Sequence, residues 1–351
     1  MAKELPQGVG AGAVPADRSA GRSGADRALR WASRRARILA PLLTLMAMIA
    51  FFSVASDRFL DVANFQNILT QVGRVAVAAT GITFVLLCAE IDLSIASVAT
   101  FAGVLSAYFW VGTWLELGNW GVLVGLLVGA LIGLINGIFV SRVGIPSFMM
   151  TLAMLTIALG LSIYVTQGRP IFEAPTLLRF LGSSGERVLG IPVIAIVAAV
   201  VLLIGDFVLS FTRFGRYVYM TGGNREAAEM SGVDTRRVVM LCLMISGVTA
   251  SLAGMLDVGR LSQANPAAGG DLLIATIAAV VLGGTSLFGG EGGIRNTVLG
   301  LLIFGVLSNG LNLLPDISIY IKQALQGVIL VGALLLNVLA LRLERVRTRA
   351  D

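Results

Sequence analysis

The sequence predicts an all-α membrane protein that crosses the bilayer about ten times. Three observations carry this. Of 351 residues, 56% are hydrophobic and 13% charged, with a mean hydropathy of +0.88, too apolar for a soluble multi-domain chain. The apolar residues fall into ten runs, each near the length a helix needs to cross about 30 Å of hydrocarbon. Finally, with the N-terminus placed inside, nineteen of the twenty-six Lys and Arg residues fall in cytoplasmic segments, as the positive-inside rule requires.

Residues 1–26 are rich in Gly, Ala, Pro and Ser and read as disordered; 27–37 form a basic lead-in. Ser33, Arg34 and Arg35 resemble a twin-arginine export signal, but a membrane domain follows, and the arginines serve equally as a cytoplasmic anchor. The chain thus divides into a basic cytoplasmic tail at 1–37, a transmembrane domain at 38–341 and a second basic cytoplasmic tail at 342–351. The expected spans are 38–54, 72–88, 93–112, 121–140, 148–166, 190–210, 238–258, 273–288, 297–314 and 321–341. The short joins at 89–92 and 288–296 can each be a break within the membrane. An even number of spans leaves both termini in the cytoplasm.

Gly121, Gly125, Gly129, Gly133 and Gly137 repeat every fourth residue and make a smooth stripe for close helix contact. The run 283–293 is too glycine-rich for a regular helix. It has the look of a phosphate loop but lacks the Lys of the Walker pattern. Backbone that irregular must be buried in protein or line a wet cavity.

The longest strongly polar segment of the membrane domain is 213–237, which the topology places in the cytoplasm. Asn224 caps a short helix, Glu226 favours its first turn, Arg225 to Ser231 supply about two turns, and Gly232 suits a left-handed stop. Ala227 and Ala228 are small enough for close approach to a partner, and Glu226 and Glu229 lie three apart on one face. An ordinary solvated loop would need none of this order, so the segment reads as a docking element.

Ionisable groups near the membrane interior are few: Arg74, Glu90, Asp92, Asp206, Asp257 and Lys322. Glu90 and Asp92 are the candidates for a pathway or gate; Asp257 and Arg260 are spaced to pair. Asn136, Asn309 and Asn312 can bond a hydroxylated solute or a neighbouring helix. The chain has no His, which excludes His catalysis and His metal ligands, and Cys88 and Cys242 lie in apolar runs as packing residues. No metal or cofactor is expected. The basic balance is explained by the membrane, not by nucleic acid.

Several motifs together carry a resemblance. Ile91-Asp92-Leu93-Ser94, Asn136-Gly137, the segment from Pro146 to Leu152 and Thr166-Gln167-Gly168-Arg169-Pro170 come first in order. Gly222-Gly223-Asn224-Arg225-Glu226-Ala227-Ala228-Glu229-Met230-Ser231-Gly232, the segment 278–290 and Asn309-Gly310-Leu311-Asn312 follow. At this order and spacing the chain resembles the permease subunits of ribose/xylose/galactose-type ABC transporters over about residues 40–340. It departs where that family carries two glycines before Ile-Asp-Leu-Ser: here Ala89 and Glu90 stand.

The resemblance implies an ABC importer permease fold in a bacterial inner membrane. It also implies a permease homodimer or a pair of related permeases, a cytoplasmic ATP-binding subunit coupled through 224–232, and an extracytoplasmic sugar-binding protein. On that reading Glu90, Asp92, Ser94, Asn136, Asn309 and Asn312 belong to the pathway or its gate, and the solute is a monosaccharide or related polyol. The chain carries no nucleotide-binding motif, so its energy must come from a partner. The alternative is an ion-coupled secondary transporter, which would bury several titratable groups near mid-membrane; proton-dependent uptake without an ATPase would mark it. An intramembrane enzyme lacks any activated nucleophile pattern.

Overall fold

The computed structural model describes residues 41–111, 117–314 and scattered positions between 317 and 335. The two basic tails and most of the tenth expected span, 321–341, lie outside the described residues. Six helices are long and apolar enough to cross a membrane, and three shorter apolar helices accompany them. In chain order they are α1 (Pro41–Ala55), α2 (Val62–Leu87), α3 (Ile95–Val111), α4 (Gly121–Ile138), α5 (Ser147–Thr166) and α6 (Thr176–Leu181). A two-stranded hairpin, β1 (Arg187–Val188) and β2 (Ile191–Pro192), precedes α7 (Val193–Phe211). Then come α8 (Arg213–Gly223), α9 (Arg225–Met230), α10 (Thr235–Leu261), α11 (Gly270–Leu282) and α12 (Ile294–Leu313).

α2 and α10 form the centre. α10 packs against α2, α3 and α4, while α2 also carries α7, α11 and α12. Most large apolar residues of α5, and Val200, Leu203, Ile204, Phe207 and Phe211 of α7, are exposed, as expected of helices on the rim of a bundle in lipid. The glycine stripe explains how α4 approaches α10. A Cβ on Gly129 would meet Gly247 O at 2.5 Å, one on Gly133 would meet Leu243 O at 2.4 Å, and one on Gly137 would meet Met240 Cα at 2.8 Å. Gly121 and Gly125 extend the same face onto α3, against Ser106 O at 2.8 Å and Ala102 O at 2.9 Å. Without side chains at these positions the backbones come close enough for dispersion to hold the pair.

Several boundaries differ from the sequence reading for local reasons. α2 starts ten residues earlier than the expected 72, because the polar residues Asn64, Gln66, Asn67 and Gln71 are accommodated at the helix end: Asn64 Nδ2 donates to Phe59 O at 2.9 Å and Gln66 Nε2 to Gly190 O at 2.8 Å. α4 runs on into a π turn over Phe139–Val143 and stops at Gly144, φ +86°. α11 ends at Leu282, short of the expected 288, because the glycine-rich run leaves the helix at Gly283. α8 was read only as part of a polar loop; Thr212 caps it by accepting from Gly215 N at 3.2 Å.

The two ends of the bundle are distinct. At one, α8 and α9 lie over the ends of α2 and α10 and over the 283–293 loop. At the other, the hairpin meets α2, and Ile171 pairs through its backbone with Ala264.

Candidate functional site

The chain between α2 and α3 is where the sequence motifs meet. α2 ends at Cys88, and Ala89 takes the left-handed φ of 61°, a strained position for any residue with a Cβ. Residues 90–93 are neither helix nor strand, so beyond Glu90 N, which returns to Val85 O at 3.1 Å, their backbone groups must find partners outside a helix. α5 supplies two: Ile91 N donates to Ser147 Oγ and Leu93 N to Thr151 Oγ1, both at 3.0 Å. Thr151 Oγ1 also faces Ile91 O at 3.3 Å.

Asp92 is 3% exposed and turns inward. Its Oδ1 accepts from Ser94 N at 2.9 Å and Ser94 Oγ at 2.6 Å, which caps the start of α3; its Oδ2 accepts from Ser246 Oγ of α10 at 2.7 Å. Asn136 of α4 donates from Nδ2 to Ser94 Oγ at 3.1 Å, and its Oδ1 has no partner among the described residues. Asp92, Ser94 and Asn136 therefore form one buried polar knot joining α3, α4 and α10. Ser246 completes the knot and was not legible as a member. It lies in an apolar run, 154 residues from Asp92.

Glu90 stands at the rim of this break and bonds Arg225, at the start of α9, at 2.9 Å. Two further contacts fix the same junction. Gly290 N donates to Leu87 O at 2.9 Å, and Gly222 packs so tightly that a Cβ there would meet Leu87 O at 1.7 Å and Gly290 N at 2.9 Å. Tyr219 of α8 donates to Gly292 O at 2.9 Å. The irregular run 283–293, with five glycines at positive φ, is thus seated against α8 and the end of α2. Below it, Cys88 Sγ and Cys242 Sγ lie 3.4 Å apart as buried free thiols.

α9 has the cap that its sequence suggests: Asn224 Oδ1 accepts from Ala227 N at 3.0 Å, and Gly232 has φ +82°. Its outward face differs from the expected one. Ala228 is 1% exposed and packs inward with Leu209, Val218, Val233 and Val238, so it cannot touch a partner. Glu229 accepts from Thr235 Oγ1 and serves the turn into α10. α9 exposes Arg225, Glu226, Ala227, Glu229 and Met230, with Met230 85% exposed, and buries Ala228 alone. Asn309 and Asn312 are not part of the knot. Asn309 is buried in α12, its Oδ1 without a partner among the described residues, and Asn312 is exposed, its carbonyl accepting from Lys322 Nζ at 3.3 Å.

The family profile described as the permease component of branched-chain amino acid transport systems matches residues 64–334. Among curated proteins, the chain is similar to the ribose import permease of Haemophilus influenzae, 38% identical over 84% of this chain and 90% of that one. It is similar to the ribose import permease of Bacillus subtilis, 39% identical over 85% and 92%. The D-allose transport system permease of Escherichia coli is 33% identical over 82% and 87%.

Proposed function

The chain belongs to the family of permease components of branched-chain amino acid transport systems, and from that premise we propose how its geometry serves transport. It is the transmembrane permease subunit of a sugar ABC importer, a multi-pass protein of the inner membrane, and not itself an enzyme. It works with an ATP-binding subunit and a substrate-binding protein. The solute is a monosaccharide of the class its relatives carry, a pentose such as ribose or a hexose such as allose.

On this reading α9 is the element that meets the ATP-binding subunit, and the α9 end of the bundle is cytoplasmic, as are both termini. Two copies of the chain, or this chain and a related permease, enclose the path. The observation that supports coupling through α9 is the junction of Arg225 with Glu90 and of Gly222 with Leu87. A displacement of α9 pulls on the break after α2 and, through Asp92 and Ser246, on α10. Binding energy at α9 is thereby converted into a shift between two packings of the bundle.

The test is uptake of labelled monosaccharides into proteoliposomes holding the permease, its ATP-binding subunit and its binding protein. Uptake should require all three and ATP. Uptake driven by a proton gradient in the absence of the ATP-binding subunit would overturn the assignment in favour of a secondary transporter.

A further inference from the structure

The hairpin end of the molecule carries one conformation that the fold alone does not explain. β1 and β2 pair Val188 with Ile191, and the two residues between them, Leu189 and Gly190, have φ of 53° and 82°. Positive φ at both central positions is the pattern of a type I′ turn. Such a turn prefers Asn, Asp or Gly at the first of them, because a Cβ there is disfavoured. Here a leucine holds that position and is 98% exposed, with Val188 and Ile191 exposed beside it. An apolar side chain that keeps a disfavoured backbone and buries nothing in its own fold is explained by a contact outside it.

The tip is held from behind. Gln66 Nε2, in the second turn of α2, donates to Gly190 O at 2.8 Å, and Val193 N donates to Glu186 O at 3.1 Å, closing the base of the hairpin. α7 then starts against α2: a Cβ on Gly73 would meet Ile194 Cγ1 at 3.1 Å. From this seat α2 runs unbroken to Leu87, 26 residues in all, about 39 Å. Its far end is the break that bears Glu90 and Asp92. α7 has 19 residues, about 29 Å, enough by itself to cross the hydrocarbon. The hairpin that precedes it therefore lies outside the hydrocarbon, where its exposed charges Glu186 and Arg187 are hydrated. Arg187 makes no ion pair among the described residues.

We propose that this hairpin is the contact for the loaded substrate-binding protein. Leu189 enters an apolar socket on that protein, Arg187 meets a carboxylate at the socket's rim, and α2 carries the contact to the break at its other end. This rests on the sugar-importer reading, which makes the hairpin end extracytoplasmic. A rigid tip loses little freedom on docking and gains the burial of a leucine side chain. An unpaired cation beside it steers the encounter.

The experiment uses nanodiscs holding the permease with its ATP-binding subunit. Sugar-loaded binding protein is titrated in and ATP hydrolysis is followed. Leu189→Asn and Leu189→Gly relieve the backbone and remove the apolar tip. Both should be at least as heat-stable as the wild type, yet need about ten-fold more loaded binding protein for half-maximal stimulation, the factor expected when one buried leucine is lost. Arg187→Gln should raise the same concentration at low salt and less at high salt. Gln66→Leu separates docking from transmission: the half-maximal concentration should hold while the ceiling of stimulation falls. An unchanged half-maximal concentration in both Leu189 variants would leave the tip to the lipid headgroup layer and overturn the proposal. An unchanged ceiling in Gln66→Leu would remove α2 as the carrier. A wild-type transporter that loaded binding protein fails to stimulate would instead overturn the importer reading itself.

Discussion

Ser246 Oγ donates a hydrogen bond of 2.7 Å to Asp92 Oδ2, tying the break after α2 to the central helix α10. The contact joins the two parts of the chain that flank the exposed α9: α10 begins just beyond it, and the break bears Glu90, its ion partner. Asp92 thus anchors the break after α2 to α10.

Asp92→Ala should therefore destabilise the protein more than Asp92→Asn. Alanine removes the acceptor of Ser94 N, Ser94 Oγ and Ser246 Oγ, and each buried group left without a partner costs about 1–3 kcal/mol. Asparagine keeps a carbonyl for Ser94 N and turns its amide to Ser246, whose hydroxyl can accept. The order of heat stability in detergent should be wild type, then Asp92→Asn, then Asp92→Ala, with Asp92→Asn inserted but slower in transport. An alanine variant as heat-stable as the wild type would show that the knot contributes nothing to holding the break.

Gly129→Leu should separate α4 from α10. Even a Cβ there meets Gly247 O and Ser251 Oγ at 2.5 Å, and the facing backbone cannot yield as a flexible side chain would. Overpacking of this kind costs about 1–3 kcal/mol or more. Gly160 of α5 is the internal comparison, since nothing lies within 4 Å of a Cβ placed on it. Gly160→Ala should leave heat stability unchanged or slightly improved. Equal behaviour of the two variants would remove the close contact as the reason for the stripe.

The stripe was readable from the sequence because spacing alone defines one face of a helix, and the partner needs only to be smooth. The knot was readable in part. Asp92 and Asn136 drew notice as polar residues in apolar surroundings and Ser94 through the Ile91–Ser94 motif, but their junction depends on Ser246, a residue common in spans and remote in sequence. α9 was readable because caps act locally, through Asn224 and Gly232. Which of its residues point outward was not, since a two-turn helix takes its orientation from what lies beneath it. Here Leu209, Val218 and Val238 claim Ala228. α8 was missed for a related reason: its residues Arg213, Arg216, Tyr217 and Thr221 read as loop until Thr212 is seen to cap them. The pairing of Arg74 in α2 with Asp271 in α11 spans 197 residues and could only come from the fold.

Glu90 and Arg225 allow a charge-exchange test. Their bond is half exposed, with the Arg225 side chain at 49%, so its worth to stability is small, below about 1 kcal/mol. Its role is to connect α9 with the break. Glu90→Arg and Arg225→Glu should each leave the protein folded and reduce stimulation of ATP hydrolysis by the loaded binding protein. The double exchange should restore much of that stimulation. Additive losses in the double variant would mean that the two residues act separately.

α9 itself separates docking from folding within a single turn. Ala227 is exposed and Ala228 is 1% exposed. Ala227→Arg should insert and resist heat as the wild type does, since the new side chain extends into solvent. The ATP-binding subunit should then fail to co-purify, or should hydrolyse ATP without stimulation by the loaded binding protein. Met230→Asp should behave similarly, because it replaces the large apolar group that α9 presents with a hydrated charge. Ala228→Arg should instead lower heat stability, because no space exists for a guanidinium among Leu209, Val218 and Val238, and an unpaired buried charge is costly. Gly232→Val belongs with this second group. Its φ of +82° disfavours any β-branched residue although nothing crowds it, so the strain is in the backbone alone and costs about 1–2 kcal/mol. Pull-down of the ATP-binding subunit and heat stability, measured on all four variants, must therefore sort them into two pairs. Normal pull-down and normal stimulation in both Ala227→Arg and Met230→Asp would show that the exposed face of α9 meets no partner, and would leave the junction at Glu90 without a driver.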